Sequence, residues 1–394
     1  MGEQNGDDTI IDLIERFLAE LSDDYEGMSH ELNESHLVDL AGEYFTQVRL
    51  EKLVEQVQGD LETGNGSEAE IKVNEWASVQ LGENEWIDLF QDDAAIKDAL
   101  ETQAEDVLIR YPGAVGEFFG DDLCRDGFVA FMAPDKRGKT FWLLDIAFRA
   151  ALQRRRVAFF EGGDMSLKQI TRRFATRIAQ WPRKARMVKC PISITRDQEE
   201  KLAYVEHDEK IFKTSLSARR VVEASRKLQE QKIKSNDSYL RISAHPSDLT
   251  IQEIKDTCLG WSREGWVPDV IVIDYADLLV SDKKGWDKRD QIGDIWGKLR
   301  GLSQKYHCLV VTATQSDTAA YNAYILNRSN FSETKAKNAH VTGMIGLCQT
   351  MEEKENGIMR LNWVVLREDE FIETRCVHIA TCLSLANMCV KSCW

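Results

Sequence analysis

Gly138, Lys139 and Thr140, closing the stretch "FMAPDKRGKT" at 131–140, are residue types at a spacing that suits phosphate chemistry. In the pattern G-x-x-x-x-G-K-[ST] a glycine lets backbone approach phosphate, the lysine reaches the β and γ oxygens, and the hydroxyl ligates Mg²⁺. The first glycine of the pattern is Ala133 here. That glycine mainly permits a turn at a strand end; the second, Gly138, lies where the approach must be close, and it is present. The expected nucleotide-binding run is therefore Ala133, Pro134, Asp135, Lys136, Arg137, Gly138, Lys139, Thr140 and Phe141, with ATP and Mg²⁺ as the implied ligands. A second acidic position supports the first. "VPDVIVIDYADLL" carries an apolar run that ends on Asp274, where a carboxylate at a strand tip would share the metal with Thr140. Asp277 reads as a cap or turn residue. "CLVVTATQ" ends on Gln315, placed to sense a γ-phosphate or to orient water.

These residues need a strand, a loop and a helix in that order, and the pattern supplies them. "GFVAFMA" reads as a buried strand, "PDKRGKT" as the loop and "FWLLDIAFRAAL" as a helix beginning at Thr140. The texture repeats along the chain: "RVAFFEGG" then a helix over 166–180, "YLRISAH" then 250–264, "DVIVIDY" then 290–306, and "CLVVTATQ". Continuous apolar strands alternating with helices predict a mostly parallel sheet covered on both faces. "IMRLNWVVLRE" and "CVHIATCLSL" would add edge strands.

The first 110 residues differ. They carry 29 acidic and 6 basic side chains, a balance of −23, against 37 acidic and 44 basic, +7, in the other 284 residues. Apolar spacing in "IIDLIERFLAEL" and "LVDLAGEYFTQVRLEKLVEQV" predicts helices; "ETGNGSEAE" reads as a turn or linker, and "AAIKDALETQAEDVLIRY" as a further acidic helical stretch. The expected organisation is an acidic all-helical domain over 1–110 followed by an α/β domain over 111–394. No window approaches 18 uncharged apolar residues and the N-terminus is acidic, so the expectation is a cytoplasmic protein with no membrane partner. The nine cysteines sit mostly in apolar runs and read as reduced thiols. The last four lack the paired spacing of a zinc site even with His378, and Cys190 with His207 offers too few ligands.

The order of these motifs resembles the ATPase core of DnaB-like replicative helicases, members of the RecA-like P-loop NTPases. "DYADLLVSDKKGWDKRDQIGDIWGKLRGLSQKYHCLVVTATQSD", "RVAFFEGGDMSLKQITRRF" and "YLRISAHPSDLTIQEIK" carry the resemblance, which spans about residues 112–394. It implies ATP-driven translocation on single-stranded DNA during replication, a homo-oligomer in the form of a hexameric ring, a phage-type protein working in its host's cytoplasm, and a primase or helicase loader docking on the N-terminal domain. The family's catalytic glutamate falls on Asp164, one methylene shorter; Glu161 at the strand end could supply the carboxylate instead. The family's arginine finger falls on Arg367 in "NWVVLREDEF", while the lysine two residues before it is Val365 here. DNA-binding loops would follow the Asp274 and Gln315 strands, which selects Lys283, Lys284, Lys288, Arg289, Arg328, Lys335 and Lys337, interleaved with Trp286, Tyr321 and Tyr324. Residues 151–241 are the most basic span, with 22 Lys or Arg against 11 Asp or Glu, and "RRFATRIAQWPRKARMVK" reads as a basic amphipathic helix and its exit. Two other classes fit the same residues: a RecA-like recombinase, and a nucleotide-binding regulatory or assembly protein of weak turnover.

Overall fold

The computed structural model describes residues 34–62, 65, 66, 69, 72, 73, 96, 97 and 107–394, the last without 197–202, 246, 284, 322, 332–334 and 368. The helices expected before residue 34, most of the stretch 94–106, and Lys284 lie outside the described residues. The chain divides into two compact units: Met1–Gly82 with Thr257–Val267, and Glu83–Asp256 with Pro268–Trp394. In the first, the expected helical apolar spacing forms one 29-residue helix, α1 (Glu34–Glu62).

Among the described residues the second unit is built on a nine-stranded sheet. In chain order the elements after residue 112 are α2 (Gly113–Phe119), β1 (Phe128–Ala133), α3 (Lys139–Leu152), β2 (Val157–Glu161), α4 (Leu167–Ala179), β3 (Arg186–Arg196), β4 (Ala203–Phe212), α5 (Ala218–Leu228), β5 (Leu240–Ala244), α6 (Ile251–Ser262), β6 (Val270–Asp274), α7 (Lys288–Lys305), β7 (Leu309–Gln315), β8 (Gly343–Cys348), α8 (Met351–Glu355), β9 (Ile358–Leu366), β10 (Cys376–Cys382) and β11 (Asn387–Cys393). The order across the sheet is β11-β10-β9-β8-β1-β7-β6-β2-β5. The six strands from β8 to β5 pair in parallel, and β9, β10 and β11 continue antiparallel. Every residue of β1, β2 and β6 is buried, as continuous apolar runs require when helices cover both faces.

Helix α3 lays Trp142, Leu143, Ile146, Ala147 and Ala150 on one face of the sheet. Trp142 stacks on Phe131 with ring centroids 5.3 Å apart, so the helix that starts at the phosphate loop is anchored to the strand before it. A capping box between Ser166 and Gln169 starts α4, and Asp287 caps α7 by accepting from the amides of Arg289 and Asp290.

Three expectations are corrected. Residues 107–111 are not helical: Val107 bridges Cys124 in an antiparallel contact. The two strands near the C-terminus are interior rather than edges, because β8 inserts on one side of β9 and β11 closes the other side of β10. The basic helix stops at Ala179, and Arg186–Arg196 turns back as strand β3 paired with β4 in a separate two-stranded hairpin.

Candidate nucleotide site

The carboxyl ends of four central strands meet along one edge of the sheet. Ala133 of β1 is in register with Gln315 of β7, and Glu161 of β2 with Asp274 of β6. This is the edge at which open parallel sheets bind ligands. The phosphate loop crosses it from Pro134 to Gly138. Gly138, at φ +87°, is the N-cap of α3, and a Cβ there would come within 2.9 Å of Met388 Cε; both the left-handed backbone and the close packing require glycine. A cavity of about 370 Å³ opens over the loop, lined by Asp135 through Phe141 with Asp164, Arg173, Tyr275 and Leu383.

Lys139 is buried, and its Nζ donates to the carbonyls of Ala133 at 3.0 Å and Pro134 at 3.1 Å. Burial lowers its pKa, against the carboxylates of Asp135, Asp277, Asp274 and Asp164, which raise it. Thr140 Oγ1 donates to Asp274 Oδ1 at 3.2 Å. Residues 134 positions apart are thereby joined at one point, with Lys139 beside them.

Glu161 lies beneath this point, wholly buried, accepting the Met165 amide at 2.7 Å. Glu161 Oε2 and Asp274 Oδ2 are both buried without a hydrogen-bond partner, on carboxyls from paired positions. Two such oxygens can satisfy one another only by sharing a proton. Burial, and then the Asp274 carboxylate, pushes Glu161 up to about 7; burial pushes Asp274 up to about 6, against the Thr140 hydrogen bond and Arg173. A hard divalent cation with oxygen ligands would replace that proton, and Thr140 Oγ1 with Asp274 Oδ2 fits such a donor set.

Both acids bind their protons more tightly folded than unfolded, so the stabilisation they contribute is complete below about pH 4 and is lost as pH rises through the folded values of about 6 and 7. Glu161→Gln should raise the melting temperature of the nucleotide-free protein more at about pH 8 than at about pH 5. An equal change at both pH values in thermal unfolding would show that the two carboxyls do not interact.

The structure separates the two candidate bases. Asp164 is exposed in the turn between β2 and α4 and lines the cavity, whereas Glu161 sits below its floor against Asp274. Gln315 ends β7 at the same edge, its amide donating to Asp277 Oδ2 at 3.0 Å. Arg367 lies elsewhere. Its amide donates to the carbonyl of Thr342, whose own amide donates to Phe128 at the start of β1, and its side chain donates to the Ala339 carbonyl. The length of β1, about 17 Å at 3.3–3.4 Å per residue, separates that end of the sheet from the phosphate loop. A larger cavity of about 740 Å³ lies beside it, between Leu366, Phe371 and Trp394; it is rimmed by Glu117, Asp121, Asp122, Asp369 and Glu370 and is electrostatically wrong for phosphate.

Of the expected DNA-binding cations, Lys283, Lys288, Arg289 and Arg328 are exposed, and Lys283 Nζ lies 4.4 Å from the ring centre of half-exposed Trp286. Lys335 opens a short 3₁₀ turn, Lys335–Ala339. Lys337 is the correction. It is wholly buried, 2.7 Å from Asp277 Oδ1 and 2.8 Å from Thr314 Oγ1, because an unpaired carboxylate at Asp277 would otherwise be trapped between β7 and the turn after β6. Lys337→Met should cost about 3–5 kcal/mol by leaving Asp277 unpaired. Chemical denaturation measures this; a stable variant with weakened DNA binding would return Lys337 to the surface role.

Asp277 is legible in the sequence only as a turn residue, yet its carboxylate takes Thr314 Oγ1, the Gln315 amide and Lys337 together. Arg173 is not separable by sequence from Arg172. One helical step turns Arg172 to solvent and sets Arg173 over the Phe141 ring at 4.9 Å, in the cavity wall.

A phosphate-type loop after β1, a buried carboxylate ending β6 and a mostly parallel sheet define the RecA-like α/β fold, in the form found in DnaB-like helicase ATPase domains. Two solved structures are similar to this chain. One, described as an isolated ATPase domain, is 17% identical with a TM-score of 0.55, covering 76% of this chain and 98% of that one. The other, a DnaB-like replicative helicase described with its interactions with primase, is 15% identical with a TM-score of 0.60, covering 88% of this chain and 76% of that one. No family model and no curated protein matches the sequence. At these identities the likeness is one of fold.

Proposed function

We propose that the chain is an ATP-dependent DNA helicase of the DnaB type, coupling Mg-ATP hydrolysis to movement along single-stranded DNA in replication. The observation that carries this reading is the Thr140 to Asp274 hydrogen bond, which brings the phosphate loop and the strand-tip carboxylate to one place. Loop amides and the α3 N-terminus hold the phosphates, and Lys139 exchanges its two carbonyl partners for phosphate oxygens. Thr140 and Asp274 hold Mg²⁺, which supplies charge neutralisation at the β and γ oxygens. Asp164, in the cavity wall, accepts a proton from the attacking water; Glu161 holds Asp274 in place; Gln315 contacts the γ-phosphate end.

Arg367 stands at the far end of its own sheet, which favours assembly of copies head to tail, each finger serving a neighbour's site. A hexameric ring follows this reading. Exposed Lys283, Lys288, Arg289 and Arg328 neutralise the DNA backbone, and the acidic residues 1–110 form the domain that a primase or loader would engage. Among the described residues no helix is long and apolar enough to cross a membrane, and the proposed setting is cytoplasmic.

A second reading, a nucleotide-binding assembly protein of weak turnover, draws on Val365: it is buried within β9, so no cation stands two residues before Arg367. Unwinding of a forked duplex by the purified full chain with Mg-ATP separates them. The helicase reading expects strand separation and closed rings in electron micrographs; ATP binding without unwinding supports the second reading, and open filaments with strand exchange a recombinase.

A further inference from the structure

Arg137 occupies the loop position just before Gly138, yet only 7% of it is exposed. Its Nη1 has no hydrogen-bond partner, and among the described residues no carboxylate lies within ion-pair distance. Its guanidinium instead sits 5.4 Å from the ring centre of Tyr321. Tyr321 is itself tied to the same loop, its hydroxyl donating to the Asp135 carbonyl at 3.1 Å. An unpaired buried guanidinium is costly, and one aromatic face offsets only part of that cost. The charge also faces a cavity that already holds Lys139 and the N-terminal amides of α3, where a third positive group is unfavourable unless an anion enters. A structural role alone would be served better by an apolar side chain.

We propose that the Arg137 side chain is a second cationic ligand of the nucleotide's polyphosphate, oriented by Tyr321. This rests on the nucleotide reading above and adds to it a side-chain contact within the loop itself. It places a guanidinium in cis, on a loop where backbone amides and one lysine would otherwise carry the phosphates. Through Tyr321 it also joins phosphate binding to the segment after β7 that bears Arg328.

The test is equilibrium titration of the full chain with a fluorescent ATP analogue and Mg²⁺, together with thermal unfolding in the absence and presence of ATP. Arg137→Met should weaken ATP binding by at least about tenfold, while its melting temperature without nucleotide stays level or rises, because a buried unpaired charge has been removed. Arg137→Lys should recover part of the affinity, and Tyr321→Phe should keep most of it, since the ring remains. Binding by Arg137→Met within about twofold of the wild type, while Lys139→Ala fails to bind, overturns this inference and leaves the nucleotide reading intact. A nucleotide-free melting temperature that falls, with no recovery by lysine, makes Arg137 a structural residue and also overturns it. Failure of the wild type to bind removes both readings at once.

Discussion

Lys139→Ala lowers kcat/KM for Mg-ATP by about 10²–10³-fold or more, while the fold survives. Lys139 Nζ is held by the carbonyls of Ala133 and Pro134 in a buried position where its charge is already disfavoured. An ammonium so placed gains most when a triphosphate arrives, since the loop carbonyls are weaker partners than phosphate oxygens. Removing it takes that gain from both bound substrate and the transferring phosphoryl group, so KM rises as kcat falls. The structural cost is smaller. Two carbonyls lose a donor, worth about 1–3 kcal/mol, and a costly buried charge disappears at the same time. Phosphate release measured with and without single-stranded DNA, beside a melting curve, checks both parts. Unchanged turnover in a folded variant would take the loop out of the chemistry.

The central strands are legible in the sequence because burial on both faces leaves a mark in composition. Phe128–Ala133, Val270–Asp274 and Leu309–Gln315 are uninterrupted apolar runs, and each ends on a residue that the sheet brings to the same edge. Their order across the sheet is not legible, since pairing of β1 with β7 and β8 joins segments more than 170 residues apart. Strand β3 reads as the exit of a helix because its buried positions recur every third residue, Val188, Pro191 and Ile194, which is close to helical spacing. A register shift at Pro191/Ser193 in its pairing with β4 accompanies that irregular period. Lys337 shows the same limit for charge. A lysine in a polar loop reads as solvated, and only the fold reveals that Asp277, sixty positions earlier, waits for it.

Glu161 and Asp164 illustrate what spacing can and cannot settle. Three positions separate them, and either is at a strand end by sequence. The register Glu161↔Asp274 draws the first into the sheet edge, while the turn at Gly162 and Gly163 throws the second out over the cavity. A two-carboxylate arrangement then has one member held close to neutral by burial and one at the solvent, and the proton-accepting role falls to the latter.

Arg367→Ala lowers ATP turnover by about 10³–10⁵-fold with little change in nucleotide affinity, if the finger acts on the transferring phosphate of a neighbour. The geometry makes the distinction between cis and trans testable. Leu366 pairs with Gly343 at the start of β8, and the Arg367 amide bonds Thr342 at the start of the parallel strands, whereas Lys139 stands past their other ends. A side chain reaching roughly 7 Å cannot bridge about 17 Å of strand. Arg367→Ala and Lys139→Ala, each inactive alone, should therefore complement when mixed before assembly. In a randomly mixed head-to-tail ring, about one interface in four pairs an intact phosphate loop with an intact finger, and activity should return to about that fraction. A cis arginine, or one without a catalytic role, gives no recovery, because no single chain in the mixture carries both residues. The arrangement also predicts that dilution below the assembly threshold silences the wild type while nucleotide binding persists, which sedimentation and turnover measured on the same dilution series would establish.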